Sequence, residues 1–382
     1  MMLAWVATAA ALFWCVVLAA PWRPWSTRES LAAPPPAGVP DLRDVTAVIP
    51  ARNEAEALAL TLPALAAQGD GLAIIVVDDQ SGDGTAQRVA ELGVPGLTLV
   101  RGKPTPPGWT GKTWAVQQGL GRVRTPLTLL LDADIELAPG TLAALRDRKV
   151  RERAALASLM ATPAMPGFWD KLLMPAFVYF FKLLYPFALS NRPGSRRVAA
   201  AAGGCILLDT AALDELSGFA SIRSRLIDDC ALARAFKERG HAIWIGLSRD
   251  ARSLRSHAGL VDIGRAVARF AYVQLRCSPA WLAAVTAVML LAFAVPPLAA
   301  FAGEGAGRAA GIVAWSAMSA SYLPVLRFYD RAPSWSAALP AIGLMYLCMT
   351  WWSAWQSWNG AGVQWRGRSY AGAALNSGKG GA

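Results

Sequence analysis

Charged residues are missing from three long stretches of this chain, residues 2–20, 281–303 and 336–357, and plentiful between the first and the second. At about 1.5 Å per residue, each stretch is long enough as a helix to cover roughly 30 Å of hydrocarbon. A fourth and weaker stretch, 309–326, carries Ser316, Ser319, Ser321 and Pro324. Over 382 residues, 54% hydrophobic content and only 16% charge exclude a wholly soluble enzyme. The ordinary polar balance of the middle excludes an all-membrane bundle, and its Val, Leu and Ile content is enough for a packed core.

No Lys or Arg precedes residues 2–20, so the stretch lacks the charged leader of a secretory signal and reads as an uncleaved anchor. Arg23, Arg28 and Arg43 follow it, placing residue 21 onward on the cytoplasmic side. Three spans after a cytoplasmic domain would put the tail outside, against the preference of Arg366, Arg368 and Lys379, so 309–326 is expected to be re-entrant or interfacial. The stretch Met165–Leu189 is aromatic but interrupted by Asp170, Lys171, Pro175, Lys182 and Pro186. Inserting those charges would cost about 2.5–3.5 kcal/mol each near the bilayer centre. An interfacial amphipathic helix pair, its lysines reaching anionic lipid, is the expected arrangement. The domain plan is therefore an anchor at 1–22, a catalytic domain at 40–280 with an interfacial segment at about 165–190, a membrane region at 281–358 and a tail at 359–382.

Thirty-seven Lys and Arg against 26 Asp and Glu give a net charge of +11, which suits an anionic partner such as a membrane surface or a nucleotide phosphate. No basic run alternates with stacking aromatics, so nucleic acid is not expected. Cys15, Cys205, Cys230, Cys277 and Cys348 are scattered without a CxxC pair, and His241 and His257 are the only histidines. Zinc sites and a Ser-His-Asp arrangement are therefore poorly supported.

Within the middle, VTAVIPARNE from Val45, AIIVVDDQSGDGT from Ala73 and LTLLLDAD from Leu127 are apolar runs that each end in acids or small polar residues. Such runs suit buried parallel strands, and helical stretches (Glu54–Ala67, Thr85–Leu92, Thr113–Arg122) lie between them. The fold class is α/β, an open and mostly parallel sheet, in which ligands bind at the carboxyl ends of the strands, where Asp78, Asp79, Asp132 and Asp134 fall. On extended backbone, Asp132 and Asp134 would share a face and could hold one hard cation against a diphosphate. GWTGKT is not a phosphate loop, because Pro106 stands where that loop needs glycine.

The series PARNE at 50–54, VVDDQSGDGT at 76–85, GWTGKTWA at 108–115, DAD at 132–134, GGCILL at 203–208 and DDCALARAFKERG at 228–240 resembles a family 2 glycosyltransferase with a GT-A fold. With AYVQLRCSP and the apolar ends, the chain is similar more narrowly to the hopene-associated glycosyltransferases. The resemblance covers most of residues 40–280 and, loosely, GVQWRGRSY. It implies that Pro50, Ala51, Arg52, Glu54, Asp78, Asp79, Lys112 and Asp132 bind the nucleotide sugar, and that Asp134, helped by Asp132, holds Mg²⁺ or Mn²⁺. Asp83 and Gly84 would turn the chain into the next helix, Asp83 serving either the site or a simple cap. Asp229 matches the base of the family's Glu-Asp pair, while Asp228 stands where the family has Glu. The shorter side chain leaves open which of the two faces the acceptor.

One base with no second carboxylate to form a covalent intermediate implies inversion at the anomeric carbon. The QxxRW motif of processive synthases is absent, Gln274 and Arg276 being too closely spaced, so transfer of a single sugar is expected. Gln274, Arg276, Trp365 and Arg366 are candidates to close over the diphosphate. The expected partners are a nucleotide-sugar donor, with UDP as its nucleotide, a lipid acceptor such as a hopanoid, and the bilayer. Alternatives are the same chemistry on a carotenoid, sphingoid or polyprenyl phosphate acceptor, or a non-catalytic binder of nucleotide sugars.

Overall fold

A computed structural model describes residues 1–34, 38–359, 363–365 and 368–370, the last two stretches by backbone alone. Nine strands, β1 Ser30–Leu31, β2 Val45–Ala51, β3 Ala73–Asp78, β4 Leu97–Arg101, β5 Leu127–Leu131, β6 Ile135–Leu137, β7 Leu156–Thr162, β8 Cys205–Asp209 and β9 Ile243–Ser253, form one mixed sheet. Its order is β1-β9-β7-β8-β5-β2-β3-β4, with β6 pairing β9 off this path. β2 runs parallel to β3 and β5, and β3 parallel to β4. β9 runs parallel to both β7 and β1. β8 is antiparallel to β5 and β7.

The apolar runs behave as strands buried on both faces. Ala47, Ile49, Ile74, Val76, Leu129 and Leu131 pack into one core, and their alternate neighbours Val48, Ile75, Val77 and Leu130 into the other. Because β8 is reversed, its amino end at Cys205 lies on the same sheet edge as the carboxyl ends of β2, β3, β5, β7 and β9. That edge collects the loops of the motif series.

Contacts divide the chain into two compact units, one of residues 29–164 and 187–255, the other of residues 1–28, 165–186 and 256–382. Residues 165–186 and 256–280 therefore group with the apolar helices rather than with the sheet. Four helices of the second unit are long and apolar enough to cross a membrane: Met2–Ala19, Pro279–Ala302, Gly305–Phe328 and Pro333–Trp358. The weak stretch at 309–326 is thus not broken as a re-entrant segment would be. It lies inside one continuous helix, Gly305–Phe328, packed against Met2–Ala19 and against Val295–Ala302. At Gly311 a Cβ would come 2.5 Å from the backbone nitrogen of Ala300, so only glycine lets these helices approach so closely.

The segment from Met165 forms one helix, Phe168–Leu184, and a short turn of helix at Phe187–Ser190. Its charges do not reach outward as expected. Lys182 is buried, and Asp170, also buried, accepts from the Gly167 amide and lies 3.1 Å from His257 Nδ1. Asp170 thus finds its partners within the protein. Tyr179 reaches Ser321 and Tyr346 donates to the Leu173 carbonyl, tying this helix to two of the apolar ones.

Within Pro279–Ala302 the helix opens to a π turn at Leu290–Ala294. The Ala292 carbonyl has prolines, Pro296 and Pro297, at both positions that could return an amide, and neither carries an N–H. The Trp14 indole N–H donates to that carbonyl at 2.8 Å from the N-terminal helix, and both residues are buried. Trp14→Phe keeps the ring packing but orphans the carbonyl. The expected loss is about 1–3 kcal/mol, read as a lower melting temperature of the full chain in detergent.

Candidate active site

β5 ends at Leu131, and a turn closed by the Ile135 amide on the Asp132 carbonyl, at 3.0 Å, carries the chain into β6. The DAD residues are therefore not extended, and their two acids meet different partners. Asp132 meets Lys112 Nζ at 2.7 Å. Asp134 accepts from the Ser253 hydroxyl at 2.9 Å and from Arg255 Nε at 3.3 Å. The i to i+3 turn is the reason, since it rotates the second acid away from where strand alternation would put it.

Lys112 lies in the first turn of helix Gly111–Leu120, capped by the Thr110 hydroxyl accepting from the Thr113 amide. The Thr110 amide and the Thr113 hydroxyl both donate to the Arg223 carbonyl, at 2.9 and 2.8 Å, which fixes the helix start. From there the Lys112 ammonium reaches Asp132 on one side and Asp228 Oδ2, 3.8 Å away, on the other. The two acidic clusters thus flank one cation and line one crevice with Pro50, Gly203 and Asp229. Burial disfavours the lysine's charge, but the fields of Asp132, Asp228 and Asp229 outweigh it and hold its pKa well above the usual lysine range. Burial also raises the Asp132 carboxyl, aided by Asp134 and Asp228 and opposed by Lys112.

Helix Asp228–Glu238 begins at the acid pair and buries Leu232, Ala233 and Phe236, a helical spacing that points the acids at the sheet edge. Asp229 is held by backbone: Oδ2 accepts from the Gly203 amide at 2.9 Å and Oδ1 from the Cys230 amide at 2.7 Å. Burial, with the neighbouring Asp228 charge, pushes its carboxyl up to about 6 against these hydrogen bonds and Lys112. A Cβ on Gly203 would press on the two side chains, lying 3.2 Å from Asp229 Oδ2 and 3.4 Å from Lys112 Nζ.

The other expected site residues lie on the same edge but serve the protein's own loops. Pro50 and Ala51 end β2, and the buried Ala51 accepts the Asp79 amide with its carbonyl at 2.7 Å. Arg52 donates to the Asp79 carbonyl at 2.6 Å and stands 3.9 Å from its carboxylate. Asp78 is buried and accepts from the Ser81 amide. Asp83 takes the capping role, one oxygen accepting from the Thr85 amide at 3.0 Å and the other from the Ala55 amide at 3.1 Å, at the starts of two helices. Those hydrogen bonds outweigh its partial burial and lower its pKa. Glu54 meets a terminal nitrogen of Arg255 at 3.0 Å.

Gln274 and Arg276 belong to the apolar-helix unit, where the Gln274 amide donates to the Tyr185 hydroxyl and Arg276 is exposed. Trp365 lies in the backbone strand Val363–Trp365, and Arg366 lies outside the described residues. Arg255, Ser253 and the Gly203 amide are the participants that the sequence reading missed. An arginine directly after a strand's carboxyl end was the available signal for the first.

As a donor set, Asp132 and Asp134 fit a hard divalent cation, which prefers carboxylate oxygen to nitrogen or sulfur. Among the described residues no group of three or more His, Cys, Asp and Glu gathers as a metal cage. Two protein carboxylates with the remaining positions left to phosphate and water match the way Mg²⁺ is usually held beside a diphosphate.

Residues 46–217 match the sequence profile described as Glycosyl transferase family 2. The 4,4'-diaponeurosporenoate glycosyltransferase of Staphylococcus haemolyticus (strain JCSC1435) is 34% identical over 97 residues, 25% of this chain, and the chain spans only 25% of that relative's length. Among solved structures, the mannosyltransferase PcManGT from Pyrobaculum calidifontis, in complex with GDP-Man and Mn²⁺, superposes with a TM-score of 0.51 at 20% identity, covering 91% of this chain and 99% of its own. S. aureus TarS gives 0.41 at 17% identity over 60% of this chain and 40% of its own. Residues 46–217, somewhat under half of the chain, are thus similar to family 2 glycosyltransferases, and the fold is of GT-A type.

Proposed function

We propose that this chain is a membrane-anchored, inverting glycosyltransferase that moves a single sugar from a nucleotide-diphosphate donor to a hydroxyl of a lipid. The observation that carries the reading is the one crevice between the DAD turn and the Asp228 helix, where Lys112 touches acids of both. An enzyme of this class needs charge stabilisation on the leaving diphosphate and a base on the opposite side of the sugar, a few ångström apart. The family 2 match supports the donor class, and the four apolar helices support a membrane setting for the acceptor.

In this reading Asp134 and Asp132 hold Mg²⁺ or Mn²⁺, which when bound neutralises charge on the diphosphate. The Mn²⁺ in the PcManGT complex supports that assignment. Lys112 supplies a protein cation to the same oxygens. Asp229 takes the acceptor's proton: its backbone hydrogen bonds fix its orientation, and its raised pKa makes it a better base than an ordinary aspartate. Asp228 steers Lys112. Uracil as the base, a hopanoid acceptor and the bacterial inner membrane as location follow from the resemblance of the motif series. A carotenoid acceptor is the second reading, favoured by the 97-residue match to a diaponeurosporenoate glycosyltransferase.

The purified full chain, supplied with labelled UDP- and GDP-sugars and with hopanoid or carotenoid acceptors, tests these readings by transfer to lipid. Tight donor binding without transfer or hydrolysis would replace the enzyme with a binder. Removal of divalent metal by EDTA is expected to abolish transfer, with recovery on Mn²⁺ or Mg²⁺. Asp229→Asn, which keeps an acceptor for the Gly203 amide, is expected to lower kcat by about 10²–10⁴-fold without unfolding the protein. Because the base works only when deprotonated, kcat/KM of the wild type should climb through about pH 6 and level off above it. Should Asp228→Asn lose as much activity and also lose the pH step, the base is Asp228 rather than Asp229. Gly203→Ala crowds Asp229 and Lys112, and is expected to reduce kcat while leaving the melting temperature within a few degrees, measured by circular dichroism.

A further inference from the structure

Arg255 follows the carboxyl end of β9 by two residues, and its place is fixed by the Leu254 amide donating to the Asp134 carbonyl at 2.8 Å. Its Nε lies 3.3 Å from Asp134 Oδ2, and a terminal nitrogen lies 3.0 Å from Glu54 Oε1. The two carboxylates are shielded, at 13% and 12% side-chain exposure, whereas the guanidinium is 37% exposed. The cation is thus the outward member of the trio and covers the acids. Lys112 pairs with Asp132 from another element, at 2.7 Å. Each acid of the DAD turn therefore carries its own protein cation, and Asp134 Oδ2 already accepts from both Ser253 and Arg255.

A divalent ion arriving alone at Asp134 would meet a guanidinium against the oxygen it needs, and like charges at that range repel. A nucleotide diphosphate changes the balance. It brings negative charge that a guanidinium fork can grip at two oxygens, at least as well as it grips a carboxylate. Resting on the reading of Asp134 as a metal carboxylate, we propose that Arg255 is a positioning residue that covers Asp134 in the donor-free enzyme and passes to the donor's diphosphate as the metal enters. Metal and nucleotide then bind as a coupled pair, each weak without the other. The reciprocity of binding equilibria makes the coupling equal in both directions.

The test is a titration of the full chain in detergent with Mn²⁺, free Mn²⁺ being read by electron paramagnetic resonance, alone and with saturating UDP or GDP. For the wild type, the better-bound nucleotide is expected to tighten Mn²⁺ binding by about tenfold. Arg255→Met and Arg255→Gln, which remove the charge, are expected to tighten Mn²⁺ binding without nucleotide by about tenfold and to lose most of the nucleotide effect. Arg255→Lys keeps the charge but not the fork. It should bind Mn²⁺ alone as the wild type does and gain less from nucleotide. Ser253→Ala, which removes only a neutral donor, should stay within about twofold of the wild type. If both neutral variants bind Mn²⁺ alone no more tightly than the wild type while Asp134→Asn abolishes binding, the covering role is overturned and the metal carboxylate stands. If Asp134→Asn leaves Mn²⁺ binding unchanged, the metal assignment falls, and this inference with it.

Discussion

The sheet edge is organised around a charge problem. Asp132, Asp228 and Asp229 converge from a strand end and a helix start, and their mutual repulsion in a partly buried crevice is offset by one ammonium, Lys112. Removing that ammonium would leave uncompensated carboxylates out of water, which is far costlier than the bridge's own net stabilisation. The local architecture around the lysine follows from this need. The Thr110 cap, the double contact to the Arg223 carbonyl and the glycine at 203 all serve to bring the lysine to the acids without obstruction. Under the proposed function, the same balance lets the crevice take a diphosphate with its metal, the ammonium facing phosphate oxygen and the carboxylates facing the metal.

The apolar unit answers a different constraint. A chain in hydrocarbon has no water to satisfy backbone groups that proline or a π turn releases. The Trp14 indole on the Ala292 carbonyl is a direct solution, at a site where two consecutive prolines stand at the next helical positions. The buried Asp170 and His257 pair follows the same logic for a charged group. These polar atoms look anomalous in so apolar a sequence until their partners are seen.

Much of the fold was legible from short-range pattern. Runs such as AIIVVD and LTLLL are too apolar for anything but a two-sided strand, and the helices between them begin and end close to their expected limits. The placing of Asp78, Asp79 and Asp132 on one edge also followed from where strands end. What local pattern misjudged were positions whose surroundings come from elsewhere in the chain. Asp134 was expected beside Asp132, but a turn sends it to Ser253 and Arg255, more than a hundred residues on. Lys182 was expected at a headgroup, and the fold leaves it buried. Asp83, which allowed two readings, proved to cap two helix starts.

By itself the sequence determined the alternation of buried strands with helices, the approximate extent of three of the apolar helices and the presence of acids after the strands. These depend on periodicity and on neighbours a few residues away. Only the tertiary structure decided which cation meets which acid, and which carbonyl a tryptophan rescues. Such pairings join residues up to 278 positions apart, and their energies depend on distance and burial, quantities that exist only once the chain has closed on itself.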